Sequence, residues 1–237
     1  MSEQLRAGLR RLAIVPARGG SKGLPGKNLA QVAGESLLAR AVRCARDAGI
    51  FDFILVSTDD PAIAEEGRRA GAQVPFLRPA ALASDKAAVI DAVRDALDRL
   101  EAQGQSRFDT VALLEPTSPL RTPQILRQTV AAAESDGADA ALTVSRAPTR
   151  YHPLKHFRID QHGLARHAVE AGAKVVNRQE LTDTFLRNGM CYAVRRSAID
   201  AGHNMLGSAP RGVIVEGPAV NIDDAEDLAE ARRLLEQ

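Results

Sequence analysis

The chain has 237 residues, 45 % of them apolar and 26 % charged, with a formal net charge of +1 at pH 7. That length suits one sizeable α/β domain with an added lobe, and the near-neutral balance gives no field that would draw nucleic acid or a membrane surface. Cys44 and Cys191 have no metal-type spacing and read as buried thiols in a reducing compartment. The opening residues lack the apolar core of a signal peptide, and no apolar run reaches membrane-span length, so the cytoplasm is the expected location.

Leu12 to Val15 reads as a first strand, buried on both faces. It runs into PARGGSKGLPGKN at 16–28, with four glycines and the cations Arg18, Lys22 and Lys27. A glycine-rich basic turn at a strand end is the pattern of a phosphate cradle. Small residues admit a polyanion to the backbone, and cations neutralise it. A Walker loop is excluded, because five residues separate Gly20 from Gly26 and Asn28 follows Lys27. No G-x-G-x-x-G fingerprint is present, which disfavours a dinucleotide fold. Arg18 and Lys22 are placed to grip phosphates, while Lys27 and Asn28 fix the loop or reach the α-phosphate.

Ser36 caps a predicted helix through Ala48 that ends at Gly49, with Leu37, Leu38, Ala41, Val42 and Ala45 on one face. Asp52 to Ser57 is a second strand. Thr58-Asp59-Asp60-Pro61 then supplies a cap and a first-turn proline for a helix ending near Gly71. A short strand is expected around Val74 to Phe76. From Ala87 to about Gln103, Val89, Val93, Ala96, Leu97 and Leu100 recur at helical spacing. Thr110 to Leu114 is a strand that ends in EPTSPLR at 115–121, Thr122-Pro123 starts a helix, and Ala138 to Ser145 is a strand. This alternation predicts a doubly wound, mostly parallel α/β nucleotide-binding sheet with right-handed crossovers.

The pattern breaks over residues 146–188, which read as an inserted lobe with a hairpin around Asp160 to Gly163. Gly189 to Val194, Gly212 to Val215 and Ala219 to Ile222 are predicted strands. Asp223 or Asp224 caps a last helix carrying Leu228, Ala229, Ala231, Leu234 and Leu235. The expected division is a core over 10–145 and 189–237 and a lobe over 146–188.

From Leu12 to about Leu235 the chain resembles the acylneuraminate cytidylyltransferases, or CMP-sialic acid synthetases. The resemblance rests on VPARGGSKGLPGKN at 15–28, VSTDD at 56–60, FLRPAALASD at 76–85, LLEPTSPLR at 113–121, HPLK at 152–155, RQEL at 178–181, NGMCYA at 188–193 and NIDDAEDL at 221–228. It implies transfer of CMP from CTP to the anomeric hydroxyl of a sialic-acid-like (nonulosonic) 2-keto sugar acid. Pyrophosphate is released, and Mg2+ bridges phosphate oxygens. CMP activation of Kdo or another acidic acceptor, and a non-catalytic nucleotide-binding homologue, are the alternatives. A homodimer or dimer of dimers is also implied, with the lobe of one subunit reaching its neighbour's site. Neither nucleic acid nor a membrane is an expected partner.

The resemblance implies that Arg18, Lys22 and Asn28 hold the CTP phosphates with Lys27 adjacent. Arg78 and Ser84 match positions around the base, and Pro16 and Ala17 would present backbone groups to cytosine. Arg18, Lys22, Lys27 and Asp223 form the implied catalytic set. Asp59 and Asp85 read as helix caps. The family pattern Asp-Ile-Asp is Asn221-Ile222-Asp223 here. In a strand, residues two apart share a face, so both would converge on one metal ion, Asp223 with charge and Asn221 through its carbonyl oxygen. Asp224 is then a helix cap.

Glu115 stands where the family commonly has Gln near the sugar acid. One reading has it accepting hydrogen bonds from acceptor hydroxyls, assisting deprotonation or joining the metal site. The other is a conservative exchange that holds a loop. Lys155, Arg178 and Gln179 match the sugar-acid pocket. Arg187 is displaced by one place from a family cation and takes no role from it. Tyr192 reads as core packing, and His152 and His156 as packing or solvated groups.

Overall fold

Arg11–Pro16 forms strand β1, and all but its last residue is buried, as a strand covered on both faces must be. The computed structural model describes residues 5–21, 23–174 and 181–236, so Lys22, Arg178 and Gln179 lie outside the described residues. After the glycine-rich loop, a minimal hairpin of β2 (Gln31–Val32) and β3 (Glu35–Ser36) leads into α1 (Leu37–Ala48). The Ser36 hydroxyl accepts from the Ala39 N–H at 3.0 Å, and Gly49 closes the helix in the left-handed region at φ 65°. Strand β4 (Phe53–Ser57) is followed by α2 (Pro61–Arg69), capped by Asp60 with Pro61 in the first turn. Then come α3 (Val89–Ala102), β5 (Thr110–Leu113), α4 (Pro123–Glu134, capped by Thr122) and β6 (Ala140–Arg146). The lobe carries β7 (Phe157–Ile159) and β8 (Ala165–His167). The chain closes with β9 (Phe185–Arg195), α5 (Arg196–Asp200), β10 (Pro210–Ile214) and α6 (Ala225–Leu235).

Among the described residues the main sheet has six strands in the order β10-β6-β9-β5-β1-β4. The pairs β10–β6, β5–β1 and β1–β4 are parallel, and β9 runs antiparallel to both of its neighbours. One face packs Leu38, Val42, Ile63, Leu126 and Val130 from α1, α2 and α4. The other packs Ile90, Val93, Leu97 and Leu100 of α3 with Ile199 of α5. Below the sheet, Arg11 donates to Glu134 at 2.7 and 2.8 Å, and Thr110 donates to the same carboxylate at 2.9 Å, so a fully buried charge is paired and hydrogen-bonded. The chain leaves β1 towards β4 on one side and returns to β5 on the other. The carboxyl ends of β1 and β5 therefore open onto the crevice where open α/β sheets take ligands.

Several expectations are corrected. No strand forms at Val74 to Phe76; a single bridge joins Gln73 to Leu55 just before it. No strand forms at Ala219 to Ile222, where the chain is irregular. The central strand β9 begins at Phe185, so its first residues fall inside the segment read as lobe. The hairpin expected at Asp160 to Gly163 is present: Asp160 accepts from the His162 and Leu164 N–H groups at 2.9 and 3.0 Å, and β7 pairs with β8.

Strand β9 carries a bulge. Leu142 pairs with Tyr192 while Val144 pairs with Arg187, so four residues of β9 oppose Thr143. Side chains take over the lost ladder bonds. Asn188 donates to Ser145 at 3.0 Å, the Asn188 carbonyl oxygen accepts from the Met190 N–H at 3.2 Å, and Thr143 accepts from the Cys191 N–H at 3.0 Å. Gly189 sits in this bulge at φ 71°, which favours glycine.

Candidate active site

The loop after β1 is held from three sides. Asn28 is buried and donates to the Arg18 carbonyl at 2.9 Å, the Gly19 N–H donates to Asp59 at 3.0 Å, and the Ala17 N–H donates to the Ser57 carbonyl at 3.0 Å. Asp59 therefore anchors the loop and Asp60 caps α2, which corrects the capping role given to Asp59. Asp85 does not cap either: it pairs with Arg18, and α3 starts at Val89, with Ala88 in the cap position and no side-chain cap. With its N–H engaged in the sheet, Ala17 has only its carbonyl left for a base. Gly23 is required by contact, since a Cβ there would lie under 3.0 Å from the Asp223 carbonyl oxygen.

Across the loop, Lys27 donates through Nζ to the Ile222 carbonyl at 2.8 Å and to the Asp223 carboxylate at 3.0 Å. The Ile222 N–H in turn donates to the Thr117 carbonyl at 2.8 Å. These bonds tie the segments after β1, after β5 and before α6 into one wall. Arg78 is buried and donates to the Ser57 hydroxyl at 3.1 Å and to the Ser57 carbonyl, and burial pulls its guanidinium below the usual range.

Together these groups enclose a cavity of about 510 Å³, lined by Pro16, Arg18, Lys27, Asn28, Arg78, Ser84, Asp85, Glu115 and Asp223 among others. The structure thus assembles most of the expected nucleotide residues. Asn221 is exposed, is not in this lining, and does not alternate with Asp223 along a strand, so the geometry argued for the pair fails. Its side-chain carbon lies 3.8 Å from a Cβ placed on Gly189. Lys155 sits exposed in the lobe, in a 3-10 turn at Pro153–Lys155, and lines neither this cavity nor the next.

A second cavity of about 320 Å³ abuts the first, lined by Ala88, Val89, Glu115, Arg187, Tyr192 and Asn204 among others. Tyr192 packs against the core as expected, but it also forms part of this wall. Burial raises the Tyr192 hydroxyl above its usual range, and the Glu115 charge adds to that. Burial also pushes the Glu115 carboxyl above the usual carboxylate range; the charge of Arg121 opposes this and that of Asp223 adds to it.

Arg121 escaped the sequence reading. It is buried, and it donates to the Met190 carbonyl in the β9 bulge and to the Glu115 carbonyl at 2.7 Å. An arginine just ahead of a helix cap is the only local signal for it, and burial is not legible in that signal. Both thiols are buried as expected, Cys44 pushed up to about 11 and Cys191 to about 12 by burial. Both ring nitrogens of His152 meet backbone groups, the Thr182 carbonyl at 3.1 Å and the Leu154 N–H at 3.2 Å. Among the described residues no group of three or more His, Cys, Asp or Glu could hold a metal, and no helix is long and apolar enough to cross a membrane.

A mostly parallel sheet with a glycine-rich basic loop at the carboxyl end of its first strand defines a nucleotidyltransferase-type α/β fold. The chain belongs to the cytidylyltransferase family, whose model, described as Cytidylyltransferase, matches residues 12–200. It is similar to the CMP-N,N'-diacetyllegionaminic acid synthase of Legionella pneumophila, 40% identical over 155 residues, which is 65% of each chain. It is also similar to a pseudaminic acid cytidylyltransferase of Campylobacter jejuni, 41% identical over 120 residues, which is 51% of each chain. The matched stretches thus span less than two thirds of these relatives' length. Among solved structures, a CMP:2-keto-3-deoxy-manno-octonic acid synthetase complexed with CTP superposes with a TM-score of 0.72 at 17% identity, over 96% of this chain and 99% of that one, a likeness of fold.

Proposed function

We propose that the protein is a cytidylyltransferase that transfers CMP from CTP to the anomeric hydroxyl of a nonulosonic 2-keto sugar acid and releases pyrophosphate. The observation that carries this reading is the cavity at the carboxyl ends of β1 and β5, with its paired charges. Three cations, Arg18, Lys27 and Arg78, and three carboxylates, Asp85, Glu115 and Asp223, line it. Arg18 is paired with Asp85, and Lys27 with Asp223. A nucleoside triphosphate entering with a divalent cation can exchange both pairs: phosphates take the cations, and Asp223 turns to the metal.

The donor set fits Mg2+, which keeps several waters and binds through one or two carboxylates plus substrate phosphates. Asp223 would hold it first, Asn221 standing outside the cavity lining. When bound, Mg2+ supplies Lewis-acid neutralisation of phosphate charge. The chain's own part is positioning: Asn28 and Asp59 fix the loop backbone, Arg18 and Lys27 meet phosphates, and Arg78 and Ser84 border the base region. Lys22 is proposed to join them. The second cavity, with Arg187 and Asn204 in its wall, is the proposed seat of the sugar acid, whose carboxylate needs a cation.

The lobe displays exposed Tyr151, Phe157, Ile159, Leu164 and Val169. That apolar display supports a homodimer in which the lobe, with Lys155, Arg178 and Gln179, reaches the neighbouring site. CTP supply makes the cytoplasm the proposed place of work. The test is pyrophosphate release from CTP with Mg2+ and a panel of acids: sialic, legionaminic, pseudaminic and Kdo. Release with a nonulosonic acid is expected. Folded protein that releases none with any acid refutes the reading, and turnover with Kdo alone replaces the acceptor.

A further inference from the structure

Three buried side-chain atoms among the described residues have no hydrogen-bond partner: Arg40 Nε, Ser118 Oγ and His167 Nδ1. The first two line one small cavity of about 10 Å³ between α1 and the loop after β5, with Leu37, Cys44, Pro116 and Arg121 also in its wall. Ser118 is only 1 % exposed, so bulk water does not reach its hydroxyl. Buried polar atoms normally have a partner, and one left without costs stability. The neighbouring polar groups are already engaged. Arg40 meets Glu35 through Nη1 at 3.5 Å, Cys44 Sγ donates to the Arg121 carbonyl at 3.6 Å, and the Arg121 guanidinium donates to the Glu115 and Met190 carbonyls. On another side, a Cβ on Gly189 would lie 3.1 Å from Ser118 Oγ, so the bulge of β9 closes over the hydroxyl without offering it a side chain.

We propose that this cavity is the site of a single water molecule that joins α1 to the loop after β5. The volume decides the occupant. About 10 Å³ admits one water-sized sphere, the threshold for holding a water, and excludes a carboxylate, a phosphate or any other polyatomic group. The chemistry of the lining agrees. Arg40 Nε–H only donates, whereas the Ser118 hydroxyl donates or accepts, so a water accepts the first bond and gives one to the second. Two bonds meet the lower end of the two to four that a buried water makes. The consequence reaches the nucleotide cavity. Glu115, Pro116 and Thr117 of the tied loop line that cavity, and the Thr117 carbonyl accepts from the Ile222 N–H at 2.8 Å. The water therefore braces from behind the loop whose front forms the cavity wall.

The experiment is a crystal structure of the full chain that resolves ordered waters, with and without a bromide soak. Thermal melting of wild type, Ser118→Ala, Arg40→Lys and the double variant accompanies it. Arg40→Lys keeps a cation for Glu35 and puts a methylene where Nε stands. The expected density is one peak about 2.7–3.2 Å from both Arg40 Nε and Ser118 Oγ, without a bromide signal. Each single variant should melt about 2–12 °C lower, since each strips a partner from a buried polar group. The double variant should lose at least about 1 °C less than the two singles summed, because both act on one bridge. The proposal is overturned by a wild-type cavity without density, by a bromide peak in it, by a direct bond between Arg40 Nε and Ser118 Oγ, or by melting losses that add within about 1 °C. If a variant fails to fold, the wild-type density decides.

Discussion

Gly23→Ala isolates the contact between the glycine-rich loop and the segment before α6. An added Cβ would sit under 3.0 Å from the Asp223 carbonyl oxygen, whereas ordinary contact begins near 3.4 Å. The obstacle is backbone, so neither side can relieve it by a rotamer change. The two segments must part by up to about 1 Å, and displacements of that size in positioned groups lower turnover by about 100-fold. That is about 2.7 kcal/mol of lost transition-state stabilisation. The bonds that would open are those from Lys27 to the Ile222 carbonyl and the Asp223 carboxylate, 2.8 and 3.0 Å long. Ile222 itself packs in a small buried cluster with Val32, Leu37, Leu228 and Ala231, so the strain should also cost about 1–3 kcal/mol of stability, at about 2–4 °C in Tm for each kcal/mol. Gly20→Ala is the control, because a Cβ there meets nothing within 4 Å and Gly20 does not occupy the left-handed region. Steady-state pyrophosphate release measures both. If Gly23→Ala turns over like Gly20→Ala, the coupling between these segments has no part in the chemistry.

Glu134→Ala strips the acceptor from buried Arg11 and from Thr110 and should destabilise the fold by about 3–5 kcal/mol in urea titrations, with the proposed CTP site intact in the remaining folded protein. Arg18→Ala should weaken CTP binding by about ten- to a hundredfold by calorimetry, the range of a charge-assisted hydrogen bond; an unchanged affinity would remove Arg18 from the phosphate site. Cys44 and Cys191 should resist thiol reagents at pH 8 until urea unfolds the chain. Burial raises both thiols in the fold, to about 11 and about 12, so their contribution to stability is complete below the free-thiol pKa of about 8.5 and is lost as pH rises above it. Urea midpoints measured from pH 8 to 10.5 should therefore fall, and fall less in Cys44→Ala/Cys191→Ala.

Elements whose signals are local were legible in the sequence. Ser36, Thr122 and the Asp60-Pro61 pair start helices by side-chain capping and fixed φ, and Gly49 ends one by its left-handed backbone; each works within four residues. The misreadings share a cause, which is that pairing is non-local. Val74 to Phe76 and Ala219 to Ile222 have strand-like residues but no ladder partner, so the first leaves one bridge at Gln73 and the second stays irregular. Phe185 to Asn188 has no clear alternation, yet it is strand because β6 lies beside it. In the site, the residue types of the cradle were readable because polyanions need glycines and cations. The partners were not: Asp59 and Asp60 are adjacent acids, and only the loop packed above them decides which anchors and which caps. Arg121 was invisible for the same reason, since its partners are backbone carbonyls, that of Glu115 in its own loop and that of Met190 in the distant bulge of β9.

The antiparallel strand in the middle of the sheet has a consequence for synthesis. Strand β5 pairs through Thr110 to Leu113 with Tyr192 to Arg195, so a ribosome must add about 80 residues after β5 before its partner exists, roughly 4–16 s at ordinary rates. Once β6 is made, the nascent chain carries two unclosed edges, β5 and β6, both apolar and both awaiting the same strand. The lobe emerges inside this window and cannot shield them. A nascent chain stalled between Arg146 and Phe185 therefore presents both sticky β edges until β9 arrives and wedges between them.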